Sequence, residues 1–323
     1  MTAAAEGSAL DVLVLGGGPD RERDVSLRSA ARVAAALREA GHRVREAEVG
    51  PDDLAALEPG PDVVFPVLHG PWGEGGPLQA ILEQRALAFV GAGAAAARRA
   101  MHKPAAKAVA EAAGLVTPAW VELDEGAACD LDPPVVVKPT DEGSSFGVVI
   151  CRDRASLAEA LAAPRASGGV ADPVRPPGAD RGGERRAVMV EAFVVGRELT
   201  VGIVDGRALP LIEIVPRDGF YDFEAKYARD DTAYRFETGL DGWTVAALQR
   251  EALTIHGAIG GRHLGRVDFL LDDAGRRWFL EINTMPGFTD HSLLPMAAAR
   301  AGWPMPRLCD RLVRLAINEA ASR

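Results

Sequence analysis

The stretch Arg266-Val267-Asp268-Phe269-Leu270-Leu271-Asp272-Asp273-Ala274-Gly275-Arg276-Arg277-Trp278-Phe279-Leu280-Glu281-Ile282-Asn283 reads as two apolar strands joined by a Gly-containing turn. With Ala274-Gly275 as a two-residue turn, Asp268 falls opposite Glu281 and Arg266 opposite Asn283. All four then share one face, by the period of two. Val267, Phe269, Phe279, Leu280 and Ile282 are assigned to the core side. Two carboxylates with Cβ atoms roughly 5 Å apart destabilise a sheet unless positive charge lies between them. Hard oxygen donors at that spacing, completed by the Asn283 amide, suit Mg²⁺ bridging nucleotide phosphates. The competing reading is a solvated polar face with Arg266 as counter-ion.

Outward from the hairpin, the rest of the chain alternates strand and helix. DVLVLGG (11–17) is a buried parallel-type strand, and Leu27, Ala30, Ala31, Ala34 and Leu37 follow at helical spacing. Ser26 is the expected N-cap there and Gly41 the stop. Strands at 42–49, 62–68 and 86–91 continue the pattern, so residues 1–97 form a doubly wound domain with a parallel sheet. One helix over 98–113 would set Lys103 and Lys107 one turn apart. PVVVKPT (134–140) and GVVICR (147–152) are strands joined by DEGSSF, before a short helix with Ser156 as cap. Residues 164–186, rich in Pro, Gly and Arg, read as a surface loop. AVMVEAFVVG, RELTVGIVDG and RALPLIEIVP read as an antiparallel meander, 244–263 as a helix and 292–321 as two helices. The domains are drawn at 1–97, 98–190 and 191–323.

Composition narrows the function classes. A chain of 323 residues, 48% hydrophobic, buries a sizeable core, and its net charge of −10 disfavours a nucleic acid or anionic membrane as partner. The first residues carry no basic, apolar leader, and no stretch is long and apolar enough to span a bilayer, so a cytoplasmic protein is expected. Three cysteines without metal-site spacing read as reduced, buried thiols. Only four of the 36 basic residues are lysines, at 103, 107, 138 and 226. Where Arg supplies generic charge, a lysine marks a position that requires an ammonium.

The Asp141–Gly147 loop offers small residues and backbone N–H groups to a phosphate, and Lys138 precedes it on an apolar strand where an unpaired ammonium would be costly. It joins strand to strand, unlike a Walker A loop, and the chain contains no GxxxxGK[ST]. A competing signal is Gly91-Ala92-Gly93-Ala94-Ala95-Ala96, which follows a strand, opens a helix and has Glu111 about twenty residues on, as a dinucleotide fingerprint requires.

Taken in order along the chain, further motifs carry a resemblance. They are Gly16-Gly17 with Glu22–Leu27, Leu68-His69-Gly70 with Gly73-Glu74 and Leu78-Gln79, Lys138-Pro139 with Glu142–Ser145, and Tyr221–Tyr227. Gly265–Asp268, Glu281–Thr284, Pro286-Gly287 and His291–Leu293 complete the set. Over about 11–320 the sequence resembles the D-alanine:D-alanine ligases. The resemblance implies a three-domain ATP-grasp fold, α/β with antiparallel lobes. It also implies an ATP-dependent reaction in which one D-alanine is phosphorylated on its carboxylate and attacked by the amine of another, as a step of peptidoglycan precursor synthesis.

By position, Lys103 and Lys138 match phosphate-binding lysines and Lys226 the contact to the transferred phosphoryl group. Glu142, Ser144 and Ser145 match the loop over the phosphates. Glu191, Phe193 and Val194 match the adenine pocket, and Glu198 the ribose contact. Asp268, Glu281 and Asn283 match ligands of two Mg²⁺ ions, with Mn²⁺ able to substitute. Arg266 and the Gly287 N–H match an oxyanion hole. Glu22 and His69 match groups on the first D-alanine, and Ser292 and Leu293 on the second. Ser144 and Tyr227 match a hydrogen-bonded set with Glu22, and the intact Glu224-Ala225-Lys226-Tyr227 favours an amine acceptor. The partners implied are ATP, D-alanine and a second copy in a homodimer.

Overall fold

The computed structural model describes residues 8–124, 127–143, 146–163, 187–216 and 232–322. They build three sheets. In the first, β1 (Asp11–Gly17) lies between β2 (Arg43–Val49) and β3 (Val63–Pro66), all parallel. The expected strand at 86–91 is reduced to one parallel bridge, Val64 with Phe89. One face is covered by α1 (Arg23–Glu39), the other by α2 (Gly70–Gly73) and α3 (Pro77–Gln84), with Leu13, Leu15, Leu68, Trp72 and Leu78 buried beneath the latter pair. Burial on both faces is why β1 is a continuous apolar run.

Ser26 is not the cap of α1. The helix starts at Arg23, a turn earlier, and Ser26 is buried within it. Its hydroxyl donates to the Val67 carbonyl at 2.6 Å and accepts from the Gly17 N–H at 3.0 Å, which ties the helix to the ends of β1 and β3. Gly41 stops the helix with φ 92°, as expected. The expected helix at 98–113 is two, α4 (Ala94–Met101) and α5 (Lys103–Ala112). His102 breaks away with ψ 99° because Pro104 has no N–H to continue the ladder, and its Nδ1 accepts from Ala105 N to cap α5.

The second sheet is antiparallel, in the order β4 (Trp120–Leu123), β7 (Val188–Ala192), β5 (Val135–Pro139), β6 (Val149–Cys151). Here α6 (Arg154–Ala162) is capped by Asp153, not Ser156; Asp153 Oδ1 accepts the Ser156 N–H at 2.8 Å. The third sheet runs β11 (Ala233–Arg235), β10 (Ile212–Val215), β8 (Arg197–Val204), β12 (Leu264–Leu271), β13 (Arg277–Asn283), with β9 (Arg207–Ala208) beside β8. The expected meander is therefore split: β7 joins the second sheet, and only β8 to β10 continue as neighbours.

Behind the third sheet, α5 and α7 (Gly242–Ile259) bury Ala106, Ala110, Leu248 and Ile255 against Val201, Val267, Phe269 and Phe279. The tail forms α8 (Leu293–Arg300) and α9 (Met305–Ala321); α9 returns to pack Leu308, Leu312 and Val313 into the core of α1 and β3. The three cysteines are free, with Cys151 and Cys309 buried but Cys129 partly exposed. Among the described residues no helix is long and apolar enough to cross a membrane.

Candidate active site

The hairpin keeps its expected register where it matters and departs from it elsewhere. Arg266 pairs with Asn283 and Asp268 with Glu281, but beyond them Phe269 pairs with Phe279. The connection is a longer loop, with Asp272 Oδ1 accepting from Ala274 N and Arg276 N and Gly275 at φ 77°. A bulge absorbs the offset between Asp268 and Phe269, leaving Leu280 as the extra residue. As a result Leu280 does not join the core but turns to the same cleft as Leu270.

That cleft, of about 390 Å³, lies between the second and third sheets. Val136, Lys138, Glu191, Phe193 and Val194 line one side, and Glu198, Ile214, Asp268, Leu270 and Glu281 the other. Glu191 is buried between two ammonium groups, contacted by Lys138 at Oε1 and by Lys107 at Oε2, the latter at 2.7 Å. Burial, the largest influence, would raise its pKa, but Lys138 and Lys107 together hold it down to about 2. Burial likewise works against a charged Lys138, yet Glu191 lifts it above its ordinary value.

A second, smaller cavity, of about 80 Å³, meets this cleft. Glu22, His69 and Glu74 enter it from the first sheet's loops, Glu142 and Gly143 from the loop after β5, and Arg266, Asn283, Gly287, Ser292 and Leu293 from the hairpin and the turn beyond. Lys103 and Glu281 line both cavities. Lys103 reaches the Glu142 carbonyl with its Nζ, and its backbone N–H donates to Thr140 O at 2.8 Å, so the helix start and the loop are locked together.

Asp268 is 5% exposed and already well partnered. Its Oδ1 accepts from Thr200 Oγ1 at 2.6 Å and from Arg266 Nε at 3.0 Å, and Oδ2 from Arg266 Nη2 at 2.8 Å. The face is buried rather than solvated, and Arg266 is its counter-ion. Asn283 Oδ1 accepts from Met285 N at 2.8 Å. Two opposed carboxylates and an amide oxygen are a hard donor set of the kind Mg²⁺ takes; Asn283 Oδ1 retains a lone pair for it, whereas Asp268 Oδ2, which also accepts from Arg266 Nε at 3.2 Å, would exchange an arginine bond for the ion. Among the described residues no three His, Cys, Asp or Glu side chains form a separate metal cluster.

His69 is buried, its Nδ1 4.0 Å from Glu74 Oε2, while Nε2 has no partner among the described residues. Burial, the largest influence, favours the neutral ring, but Glu74 and Glu22 outweigh it and raise the His69 pKa. At Gly287 an added Cβ would lie 2.9 Å from Ser292 Oγ and 3.8 Å from His69 Nε2, so the bare backbone keeps the cavity open. Ser292 Oγ itself accepts from Thr289 N at 2.9 Å. Ser144, Ser145, Lys226 and Tyr227 lie outside the described residues.

Asp20 stands beside this cavity, accepting from Trp72 N at 3.0 Å, and burial raises its pKa to about 6, aided by Glu74 and Glu142. A raised carboxylate stabilises the fold while protonated: the contribution is complete below the unfolded value near 4 and lost as pH rises through about 6. Wild type should therefore lose Tm relative to Asp20→Asn between about pH 4 and pH 7. Parallel Tm curves would overturn this.

Residues that the sequence left without a role also belong here. Glu74 orients His69, Thr200 holds Asp268, and Arg197 grips Glu213 in a bidentate pair at 2.7 and 2.8 Å on the cleft wall. The GAGAAA segment has no room for a dinucleotide's phosphates: Glu83 Oε1 accepts from Ala94 N at 3.0 Å, and Gly91 N donates to His263 Nδ1.

Two antiparallel lobes closing on an elongated cleft, with lysines on one wall and paired carboxylates on the other, define an enzyme of the ATP-grasp class. The family model described as "D-ala D-ala ligase C-terminus" matches residues 182–314. D-alanine--D-alanine ligases from Acidiphilium cryptum and Laribacter hongkongensis are 42% and 41% identical, each over 94% of this chain and 97% and 96% of their own. The crystal structure of the D-alanine--D-alanine ligase from Bacillus anthracis complexed with ATP superposes with TM-score 0.79, at 26% identity, over 98% of this chain and 99% of that one. This chain belongs to the D-alanine--D-alanine ligase family.

Proposed function

We propose that the protein joins two D-alanines with ATP, and that the junction of the two cavities at Lys103 and Glu281 is where phosphate passes from nucleotide to substrate. That junction carries the reading, because phosphoryl transfer depends on bringing the γ-phosphate and an acceptor oxygen into line amid neutralising charge. The purine lies by Phe193 and Val194, its amino group donating to the Glu191 carboxylate. Glu198 receives the ribose, and Lys103 and Lys138 the phosphates, with Ser144, Ser145, Glu142 and Lys226 completing the phosphate site.

Asp268, Glu281 and Asn283 would hold Mg²⁺, which supplies charge neutralisation for the phosphates. In the second cavity Glu22 takes the ammonium of the first D-alanine, and His69, whose protonated form Glu74 favours, its carboxylate. A carboxylate oxygen attacks the γ-phosphorus and the bond to ADP breaks. The amine of the second D-alanine, whose carboxylate is held at Ser292 and Leu293, then attacks the acyl carbon. Arg266 and the Gly287 N–H donate to the oxygen that becomes tetrahedral, phosphate departs and the amine loses a proton. Glu22, Ser144 and Tyr227 close the site against water, which would hydrolyse the acylphosphate. The boundaries 1–97, 98–190 and 191–323, the homodimer and a cytoplasmic location belong to the same proposal.

The test is phosphate release with Mg-ATP and D-alanine alone, then with D-lactate or D-serine added, products identified by mass. Release that requires D-alanine and yields D-alanyl-D-alanine is the expected result. Release only with a mixed acceptor would move the protein to another branch of the ligases.

A further inference from the structure

Lys107 is one turn beyond Lys103 on α5 but lines neither cavity. It is 1% exposed, and its ammonium meets Thr117 Oγ1 at 2.6 Å, Glu191 Oε2 at 2.7 Å and the Phe279 carbonyl at 3.4 Å. Thr117 Oγ1 donates onward to Phe279 O at 3.0 Å, and Phe279 N donates to Val116 O at 2.8 Å. One buried charge thus joins β7, which carries Glu191, to the point on β13 where the bulge begins and Glu281 is set. Burial lowers the Lys107 pKa despite Glu191, so the ammonium is held against its own solvation. An unbranched apolar side chain would fill the same space without that penalty.

We infer that Lys107 is a positioning residue of the ligase reaction, which aims Glu191 at the purine amino group and frees Lys138 for the phosphates. The inference rests on the reading above. Charge counting gives the reason: one carboxylate between two ammonium groups leaves a net positive charge, shared over Lys107 and Lys138. Without Lys107, Lys138 becomes the principal counter-ion of Glu191 within that triad and is held more tightly in the contact it already makes at Oε1, at the expense of a phosphate. Glu191 also loses the contact that fixes Oε2 and with it the orientation of the whole carboxylate.

The test compares ATP with inosine triphosphate, whose carbonyl replaces the amino group, in wild type and Lys107→Met. The variant should show a KM for ATP raised about tenfold, kcat lowered less than about threefold, and the ATP-to-inosine-triphosphate ratio of kcat/KM reduced about tenfold, the size of one hydrogen bond to a charged group. A merely structural lysine would lower both nucleotides alike and leave that ratio unchanged, which would overturn the inference. If Lys107→Met does not fold, Thr117→Val decides: it keeps the lysine but removes the oxygen orienting it, and should lower the ratio about threefold, an unchanged ratio again overturning the inference. Wild type lacking D-alanine-dependent phosphate release would instead fail the ligase reading itself.

Discussion

Glu281→Gln is expected to lower kcat by at least about a thousandfold while leaving the fold intact. The substitution keeps shape and removes one charge at the residue that lines both cavities. Glu281 stands opposite Asp268 on β13, and its charge is felt by Lys107 and Lys138, whose protonated forms it favours. Asp268 alone, already engaged by Arg266 and Thr200, would leave the phosphates' cation with a poorer donor set. Because Glu281 faces the cleft rather than the Phe269 and Phe279 core, the Tm should stay close to wild type. Phosphate release measured beside a thermal melt checks both halves, and wild-type turnover would sink the metal assignment.

Arg266→Met should lower kcat by about a hundredfold to a thousandfold, the usual effect of losing an oxyanion donor. It should also reduce stability by about 3–5 kcal/mol in the absence of metal, since it strips the counter-ion from a buried carboxylate. The side chains of Arg266 and Asp268 are 13% and 7% exposed, so water does little to replace the lost bonds. A divalent cation would replace them, so added Mg²⁺ should raise the Tm of Arg266→Met more than that of wild type. Equal Mg²⁺ shifts in the two proteins would mean that Asp268 does not ligate the ion.

Local pattern carried the strands, most helices and the chemistry of the hairpin, because side-chain alternation and turn residues are properties of neighbours in sequence. The opposition of Asp268 and Glu281 was legible although the turn was not: a longer loop and the bulge at Leu280 offset each other, so the register at the site survived while Leu280 changed faces. The scarcity of lysine pointed to Lys107 without indicating its partners.

The sequence by itself determined the parallel first unit, the β-rich remainder, and a face with two carboxylates, an arginine and an asparagine that needs positive charge. Tertiary structure decided which sheet received β7, which face of β1 and β3 was closed by α9, and that Lys107 would share Glu191 with Lys138. It also decided that His102 would break the helix and that Ser26 would tie strands instead of capping. These outcomes depend on which edges, faces and polar groups remain unpaired once distant segments meet, and a strand's alternation is the same whichever sheet it joins.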